Sequence, residues 1–165
     1  MSPQAIQALK NKRIAFIGAG SMAEALIRGL LKAGATEPAS IIATGRRQER
    51  LDDLHANYGV EISLNNAEAA VQADVVVLSV KPQIIERILV EITPSISEKS
   101  LVISIAAGTT ISEIAAALPK EARVWRAMPN LPAVVDAGAA AIAVGEQCRE
   151  EDERQVRAIF EAVGE

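Results

Sequence analysis

The segment RIAFIGAGSMAEALIRGLLKAG, residues 13–34, contains the transition that decides the fold. Its first five residues, 13–17, are mostly apolar, which is typical of a strand buried on both faces of a parallel sheet. Glycines follow immediately, at Gly18 and Gly20, and apolar side chains then recur at helical spacing until Gly34. The segment therefore predicts a buried strand, a tight turn and an amphipathic helix.

The turn has the sequence Gly-Ala-Gly-Ser-Met-Ala, the alanine variant of the G-x-G-x-x-G fingerprint of dinucleotide-binding folds. Gly18 permits the sharp turn, Gly20 lets a diphosphate approach the backbone, and Ala23 keeps the helix close to the strand. Free N–H groups and the positive end of the helix dipole point at this turn. A bare turn without ligand has the same pattern, but the strand before it and the helix after it favour binding.

Composition narrows the class of protein. The chain has 165 residues, half of them hydrophobic but only four aromatic, which indicates one domain with an aliphatic core. A net charge of −4 with interspersed signs argues against nucleic acid as a partner. No apolar run suits a membrane span, and the first residues lack the apolar core of a signal peptide. Because Cys148 is the single cysteine, we expect a surface thiol, no multi-cysteine metal site and a cytoplasmic location.

Strand and helix patterns alternate along the chain. Residues 1–12 are expected to be a loose lead-in, and strands are predicted at 13–17, 40–44, 58–62, 73–80, 100–105, 123–127 and 138–144. Capping-box spacing at Asn65 and Thr110 predicts two helix starts, and a charged amphipathic helix is predicted at 150–163. This order predicts an α/β fold with a doubly wound, mostly parallel Rossmann-type sheet and helices on both faces. Residues 13–165 would form one dinucleotide-binding domain.

Ligands of such sheets bind beyond the carboxyl ends of the strands. Several loops are expected to meet at that edge, namely residues 18–23, 44–47, 80–82, 106–108 and 128–132.

The end of the second predicted strand bears on the choice of cofactor. NAD-binding sheets usually place an acidic residue there to bind the ribose 2′-hydroxyl, but this chain has Thr44, Gly45, Arg46 and Arg47. The planar donor fork of arginine fits a 2′-phosphate, which a carboxylate would repel. The sequence therefore predicts NADP(H), with NAD(H) as the less favoured cofactor. A solvated helix start is the alternative interpretation of the two arginines, although the helix dipole does not favour cations there.

An ordered set of motifs makes the chain similar to pyrroline-5-carboxylate reductases. These are GAGSMAEALI, SVKPQ, SIAAGTTI and RAMPN-x-P with the glycine- and alanine-rich strand behind it, and the resemblance covers residues 13–165. It implies an oxidoreductase that reduces the cyclic imine acid 1-pyrroline-5-carboxylate to L-proline in proline biosynthesis. Full-length members are homo-oligomeric through a second, helical domain that also holds most of the substrate. The chain stops about where that domain should begin, so we expect the cofactor domain alone, with little turnover.

The resemblance also implies cofactor contacts along the carboxyl edge of the sheet. Those nearest the diphosphate and the adenosine ribose would be Gly18, Ala19, Gly20, Ser21, Met22, Arg46, Arg47 and Asn66. Those toward the nicotinamide and the reaction site would be Val80, Lys81, Pro82, Ala106, Ala107, Gly108, Met128, Pro129 and Asn130. Leu131 departs from the family, which often has threonine there.

No catalytic side chain and no metal are expected, because hydride transfer to a protonated imine requires mainly positioning and exclusion of water. His55 is expected to be a solvated surface histidine, and Lys81 either lies near the nicotinamide or is held in its loop by Pro82. Two alternatives remain open. One is a dehydrogenase of the same fold for another small acid, and the other is a non-catalytic NADP(H)-sensing module that presents its last helix to a partner.

Overall fold

The computed structural model of the chain describes residues 1–130 and 138–164. Within these ranges seven strands form one sheet: β1 Ile14–Ile17, β2 Ile41–Thr44, β3 Glu61–Ser63, β4 Val75–Leu78, β5 Leu101–Ser104, β6 Arg123–Pro129 and β7 Ala140–Val144. The α-helices in the same ranges are α1 Pro3–Leu9, α2 Ser21–Lys32, α3 Gln48–Tyr58, α4 Asn66–Val71, α5 Ile85–Ile92, α6 Ile111–Ala117 and α7 Glu150–Glu161.

The sheet has the strand order β3-β2-β1-β4-β5-β6-β7. Strands β1 to β6 pair in parallel, and β7 pairs antiparallel with β6. The chain builds outward from β1 in one direction and from β4 in the other, which places a topological switch point between these two strands. The predicted doubly wound, mostly parallel α/β fold is confirmed, and VVVL of β4 lies in the middle of the sheet as expected.

Apolar layers cover both faces of the sheet. In β1, Ile14 and Phe16 belong to one buried cluster with side chains of α1, α2, α3 and α7, while Ala15 and Ile17 belong to the other with α4, α5 and α6. All four residues are fully buried. A strand covered on both faces has no solvated side, so the sequence of its residues is continuously apolar rather than alternating.

Two predictions of local structure are wrong. Residues 3–9 form helix α1 rather than a loose lead-in, with Ser2 capping the helix and Ala5 and Leu9 buried in the core. Residues 58–62 are not one strand, because Tyr58 ends α3 and Gly59 takes the left-handed conformation, with φ +71°, before β3 begins. Glycine in this conformation is a common helix terminator, and it shifts the strand by three residues.

Among the residues that the structure describes, no helix combines the length and the apolar character needed to cross a membrane.

A buried ion pair fastens helix α7 to the sheet. The carboxylate of Asp152, which has no exposed side-chain surface, accepts a hydrogen bond from the Arg123 guanidinium of β6. Asp152 also accepts from the backbone N–H of Arg149 at 2.8 Å, and Arg123 donates to the carbonyl of Lys99 at 2.7 Å. Removing either partner would leave the other charge without compensation in a nearly dry environment.

Asp152→Asn should therefore lower the free energy of unfolding by about 3 kcal/mol or more, measured by urea denaturation. The matched control is Glu150→Gln, which removes the exposed partner of Arg154 on the same helix and should cause no measurable change. Equal effects of the two substitutions would contradict a structural role for the buried pair.

Candidate cofactor site

The glycine turn lies at the switch point, where the carboxyl ends of β1, β2 and β4 meet. Gly18 has φ +109°, and its N–H donates to the carbonyl of Thr44 at 3.2 Å. The hydroxyl of Ser79, which follows β4, donates to the carbonyl of Gly18 at 2.7 Å. A Cβ added to Gly18 would lie 2.5 Å from the Ser79 carbonyl oxygen, so no larger residue fits without a backbone shift. The positive φ and the close approach both require glycine here.

The environment of Gly20 is different. This residue precedes α2 in an extended conformation, with φ −82° and ψ −176°, and no side chain caps the helix. A Cβ added there would have no described atom within 4 Å. Gly20 and Ser21 are exposed, and the first N–H groups of α2 have no partner within the helix, where the positive end of the helix dipole also lies. This geometry fits a phosphate or diphosphate group.

The loop after β2 lies directly beside this turn. A Cβ added to Gly45 would be 3.4 Å from the Cβ of Ala19, which shows how closely the two loops approach. Arg46 and Arg47 follow in the same loop and are exposed. Neither guanidinium forms a hydrogen bond or ion pair with a described residue. Both are therefore available to an anionic ligand.

Asn66 begins α4 at the same corner of the sheet. Its carboxamide oxygen accepts from the Thr44 hydroxyl at 2.6 Å, and its carboxamide nitrogen donates to the Glu91 carboxylate at 3.2 Å. Glu91, on α5, thus brings an acidic group to a corner where the end of β2 supplies none. This contact could not be predicted from the sequence, because Glu91 is separated from Asn66 by a strand and a loop.

The remaining predicted positions occupy the loops after β4 and β5. Val80 packs near Gly18, and Lys81 is exposed before the short 3-10 turn Pro82–Ile84. Ala106 is buried, so its side chain is not open to a ligand, whereas Ala107 and Gly108 are exposed. Pro82, Ala107 and Gly108 line a cleft of about 600 Å³ between α5 and α6.

At the end of β6, Met128 is 40% exposed and does not pack in the core. The side-chain oxygen of Asn130 accepts a hydrogen bond from the backbone N–H of Ala139 at 3.0 Å. The backbone N–H of Asn130 donates to the Ala139 carbonyl at 3.1 Å. Asn130 thus joins the ends of β6 and β7, a role that the sequence did not indicate. Leu131 lies outside the described residues. Cofactor contacts of Met128 and Asn130 stay predictions.

The structure therefore brings three of the predicted loops into direct contact, namely those that contain Gly18, Gly45 and Val80. Asn66 joins them through its hydrogen bond to Thr44. The loop of residues 106–108 and the end of β6 lie at the same carboxyl edge of the sheet but farther along it, as the strand order requires.

Sequence reasoning missed a polar cluster formed by Arg50, Glu24 and Tyr58 beside the glycine turn. The Arg50 Nε donates to the Ala19 carbonyl at 2.8 Å, and its Nη2 pairs with Glu24 at 2.6 Å. The Tyr58 hydroxyl donates to the second oxygen of Glu24 at 2.8 Å. Burial alone would raise the pKa of Glu24, but hydrogen bonds from Arg50 and Tyr58 outweigh it and the pKa lies below its ordinary value. Burial and the Glu24 carboxylate together raise the pKa of Tyr58.

Other reactive side chains lie apart from this site. His55 is exposed, and its Nδ1 lies 2.8 Å from the Val60 carbonyl. Cys148 is half-buried rather than a surface thiol: its Sγ donates to the Val124 carbonyl at 3.2 Å, and burial raises its pKa. In residues 1–130 and 138–164, no group of three or more histidine, cysteine or acidic side chains is placed to hold a metal ion.

A glycine turn at the switch point of a doubly wound sheet, with an uncapped helix start behind it, defines a Rossmann-type nucleotide-binding domain. The family model described as "NADP oxidoreductase coenzyme F420-dependent" matches residues 13–108, which is more than half of the chain. The chain belongs to this family.

Individual relatives are named more specifically. The chain is 40% identical over 156 residues to the pyrroline-5-carboxylate reductase of Methanosarcina acetivorans, covering 94% of this chain and 58% of that protein. The solved pyrroline-5-carboxylate reductase of Coxiella burnetii superposes with a TM-score of 0.89 at 37% identity, over 94% of this chain and 57% of that one. The pyrroline carboxylate reductase of Plasmodium falciparum, solved with NADP bound, superposes with a TM-score of 0.83 at 26% identity. The match covers 94% of this chain and 56% of that one. The chain thus spans somewhat more than half the length of these relatives.

Gly18→Ala should destabilise the fold by about 3 kcal/mol or more, because it combines an unfavourable φ with a backbone clash. Gly34→Ala is the matched control. Gly34 has φ +66° and no described atom within 4 Å of an added Cβ, so the substitution should lower the free energy of unfolding by only about 1–2 kcal/mol. Thermal and urea unfolding of both variants measure the difference. Equal losses would show that the contact with Ser79 does not constrain the turn.

Glu24→Gln should lower the unfolding free energy by about 1–2 kcal/mol near neutral pH. The folded state lowers the pKa of Glu24, so its ionised form stabilises the fold above the ordinary value of 4.5, and this contribution disappears as the pH falls through the folded-state pKa. The difference in the free energy of unfolding between wild type and variant should therefore shrink below pH 4.5. Urea unfolding at a series of pH values measures it. A gap that is constant with pH would contradict this.

Proposed function

We propose that this chain binds a nicotinamide dinucleotide and supplies the cofactor-binding part of a pyrroline-5-carboxylate reductase. The reaction would be the reduction of 1-pyrroline-5-carboxylate to L-proline, with NADP(H) preferred over NAD(H). The observation that carries the proposal is the open space at Gly20 in front of the uncapped start of α2. The names of the relatives and the NADP-bound structure among them support the same function.

Different residues at this edge of the sheet would bind different parts of the cofactor. The backbone N–H groups of Gly20, Ser21 and Met22 would hold the diphosphate, where the helix dipole favours negative charge. Arg46 and Arg47 would bind the 2′-phosphate, since their guanidinium groups are exposed and have no described partner. Asn66, fixed by Thr44, would border the adenosine ribose.

The second half of the cofactor would extend along the edge toward β6. Val80, Lys81 and Pro82 would flank its middle, and the exposed Ala107 and Gly108 would approach the nicotinamide. Ala106 is buried, so it would contribute only its backbone. Met128 and Asn130 would border the reaction site.

When bound, the cofactor supplies a hydride for the C=N bond of the cyclic imine. The task of the chain is then to fix the cofactor in one orientation and to limit water at the reacting face. Because a protonated imine is already electrophilic, we assign no nucleophile, general acid or metal to the described residues. A cytoplasmic location and a homo-oligomeric full-length protein complete the proposal.

One observation favours a different cofactor preference. The Glu91 carboxylate lies 3.2 Å from the carboxamide nitrogen of Asn66, at the corner assigned to the adenosine ribose. An acidic group near this ribose suits the 2′-hydroxyl of NAD(H) and repels a 2′-phosphate. NAD(H) is therefore the second candidate, and the arginines and Glu91 make opposite predictions that a titration can separate.

Titration of the protein with NADPH and NADH by isothermal calorimetry tests the preference. Replacing Arg46 and Arg47 with alanine should weaken NADPH binding by about 1–3 kcal/mol and leave NADH binding nearly unchanged, because only NADPH carries the 2′-phosphate.

A matched control is the double substitution Arg154→Ala and Arg157→Ala, which removes two positive charges from the exposed surface of α7. It should change neither affinity beyond a small nonspecific effect. Equal losses of NADPH and NADH affinity in the Arg46 and Arg47 variant would contradict the 2′-phosphate assignment. Tighter binding of NADH than of NADPH by the wild type would favour Glu91 as the determinant.

A further inference from the structure

Arg50 makes hydrogen bonds with the glycine turn from outside it. The residue lies in the first turn of α3, and its side chain is 24% exposed. Its Nε donates to the Ala19 carbonyl at 2.8 Å, and its Nη2 approaches the Gly20 carbonyl at 3.4 Å. These two carbonyls belong to the peptide units whose N–H groups are those of Gly20 and Ser21. The backbone N–H groups of Gly20, Ser21 and Met22, which would hold the diphosphate, are called the cradle below. One guanidinium therefore contacts both peptide units at the start of this cradle.

Holding a carbonyl also fixes the N–H of the same peptide unit. A trans peptide is planar, and its C=O and N–H point in opposite directions. With the Ala19 carbonyl directed at Arg50, the N–H of Gly20 must point away from α3. The Gly20 carbonyl is held in the same way by the N–H of Glu24, at 3.0 Å, in addition to Arg50. Arg50 thereby sets the direction of the Gly20 N–H and reinforces, with its longer contact, the direction of the Ser21 N–H that the helical bond from Glu24 already holds.

Arg50 also compensates a negative charge beside the cradle. Glu24 is in the first turn of α2, where a carboxylate is favourable for the helix but would repel a bound diphosphate. One carboxylate oxygen is paired with Arg50 at 2.6 Å and the other accepts from Tyr58 at 2.8 Å. Without Arg50, this carboxylate would keep the Tyr58 hydrogen bond and the influence of the Arg28 charge but would lose its direct ion pair next to the position of the diphosphate.

We propose that Arg50 is a positioning residue for the diphosphate cradle: it orients the N–H group of Gly20, reinforces the orientation of the Ser21 N–H, and pairs with the Glu24 carboxylate. This inference rests on the proposed cofactor function. It differs from the role given to Arg46 and Arg47, because the diphosphate is common to NADPH and NADH whereas the 2′-phosphate is not. Substitution of Arg50 should therefore weaken the binding of NADPH and of NADH to a similar extent.

The test compares Kd values of NADPH and NADH for wild type, Arg50→Ala and Arg50→Lys by calorimetry. Arg50→Ala should raise both values about 10-fold or more, since two oriented donors and one compensating charge are lost together. Arg50→Lys keeps the charge but not the planar fork, so its values should lie between those of wild type and Arg50→Ala. Adding Glu24→Gln to Arg50→Ala should recover part of the loss by removing the repelling charge.

Two further measurements separate positioning from a general loss of structure. Adenosine 2′-monophosphate lacks the diphosphate, so its Kd should change less than about 2-fold in Arg50→Ala if the substitution acts at the cradle alone. Tyr58→Phe removes the other hydrogen bond to Glu24 without touching the turn, and it should leave the Kd of NADPH within about 2-fold. A loss of adenosine 2′-monophosphate binding equal to that of NADPH would overturn the proposal.

The outcomes for Arg50 and for the proposed function are distinguishable. A wild-type chain that binds neither NADPH nor NADH would overturn the proposed function itself. A wild type that binds while Arg50→Ala retains the same affinity for both cofactors would overturn the role of Arg50 alone. Should Arg50→Ala fail to fold, Arg50→Lys carries the test, and wild-type affinity of Arg50→Lys for both cofactors would overturn the positioning role.

Discussion

The approach of Gly18 to the backbone of Ser79 is the constraint on which the rest of the site depends. The two residues directly follow the neighbouring parallel strands β1 and β4 at the switch point, and a Cβ added to Gly18 would lie 2.5 Å from the Ser79 carbonyl oxygen. Because the strands lie this close, the chain must turn sharply at Gly18 and start α2 directly above the sheet edge. The open helix start at Gly20 follows from that turn, so the cradle is a consequence of the sheet topology.

The polar residues around the turn keep it in one conformation. Ser79 holds the Gly18 carbonyl, Thr44 accepts from its N–H, and Arg50 holds the Ala19 carbonyl from the opposite side. Each contact uses a carbonyl or N–H that a tight turn leaves without a helical or sheet partner. A backbone that is fixed before the ligand arrives loses less conformational freedom on binding. The same contacts therefore serve folding and the proposed cofactor binding.

Local patterns in the sequence predicted the parts of the fold that depend on neighbouring residues. The apolar runs of β1 and β4, the glycine turn and the capping box of Thr110 with Glu113 are all confirmed. Contacts between distant residues left no such pattern. Arg50 belongs to a polar helix whose charges look solvated, and Glu91 reaches Asn66 across two elements. Helix α1 was missed because its seven residues are too short to show a helical period on their own.

The position of the diphosphate tests the central claim most directly. A crystal structure of the chain with NADPH should place the diphosphate oxygens within about 2.7–3.2 Å of the backbone N–H groups at the start of α2. The glycine turn should keep the conformation described above, including the positive φ of Gly18. A complex in which the diphosphate binds elsewhere, with the turn contacting only protein, would contradict the account.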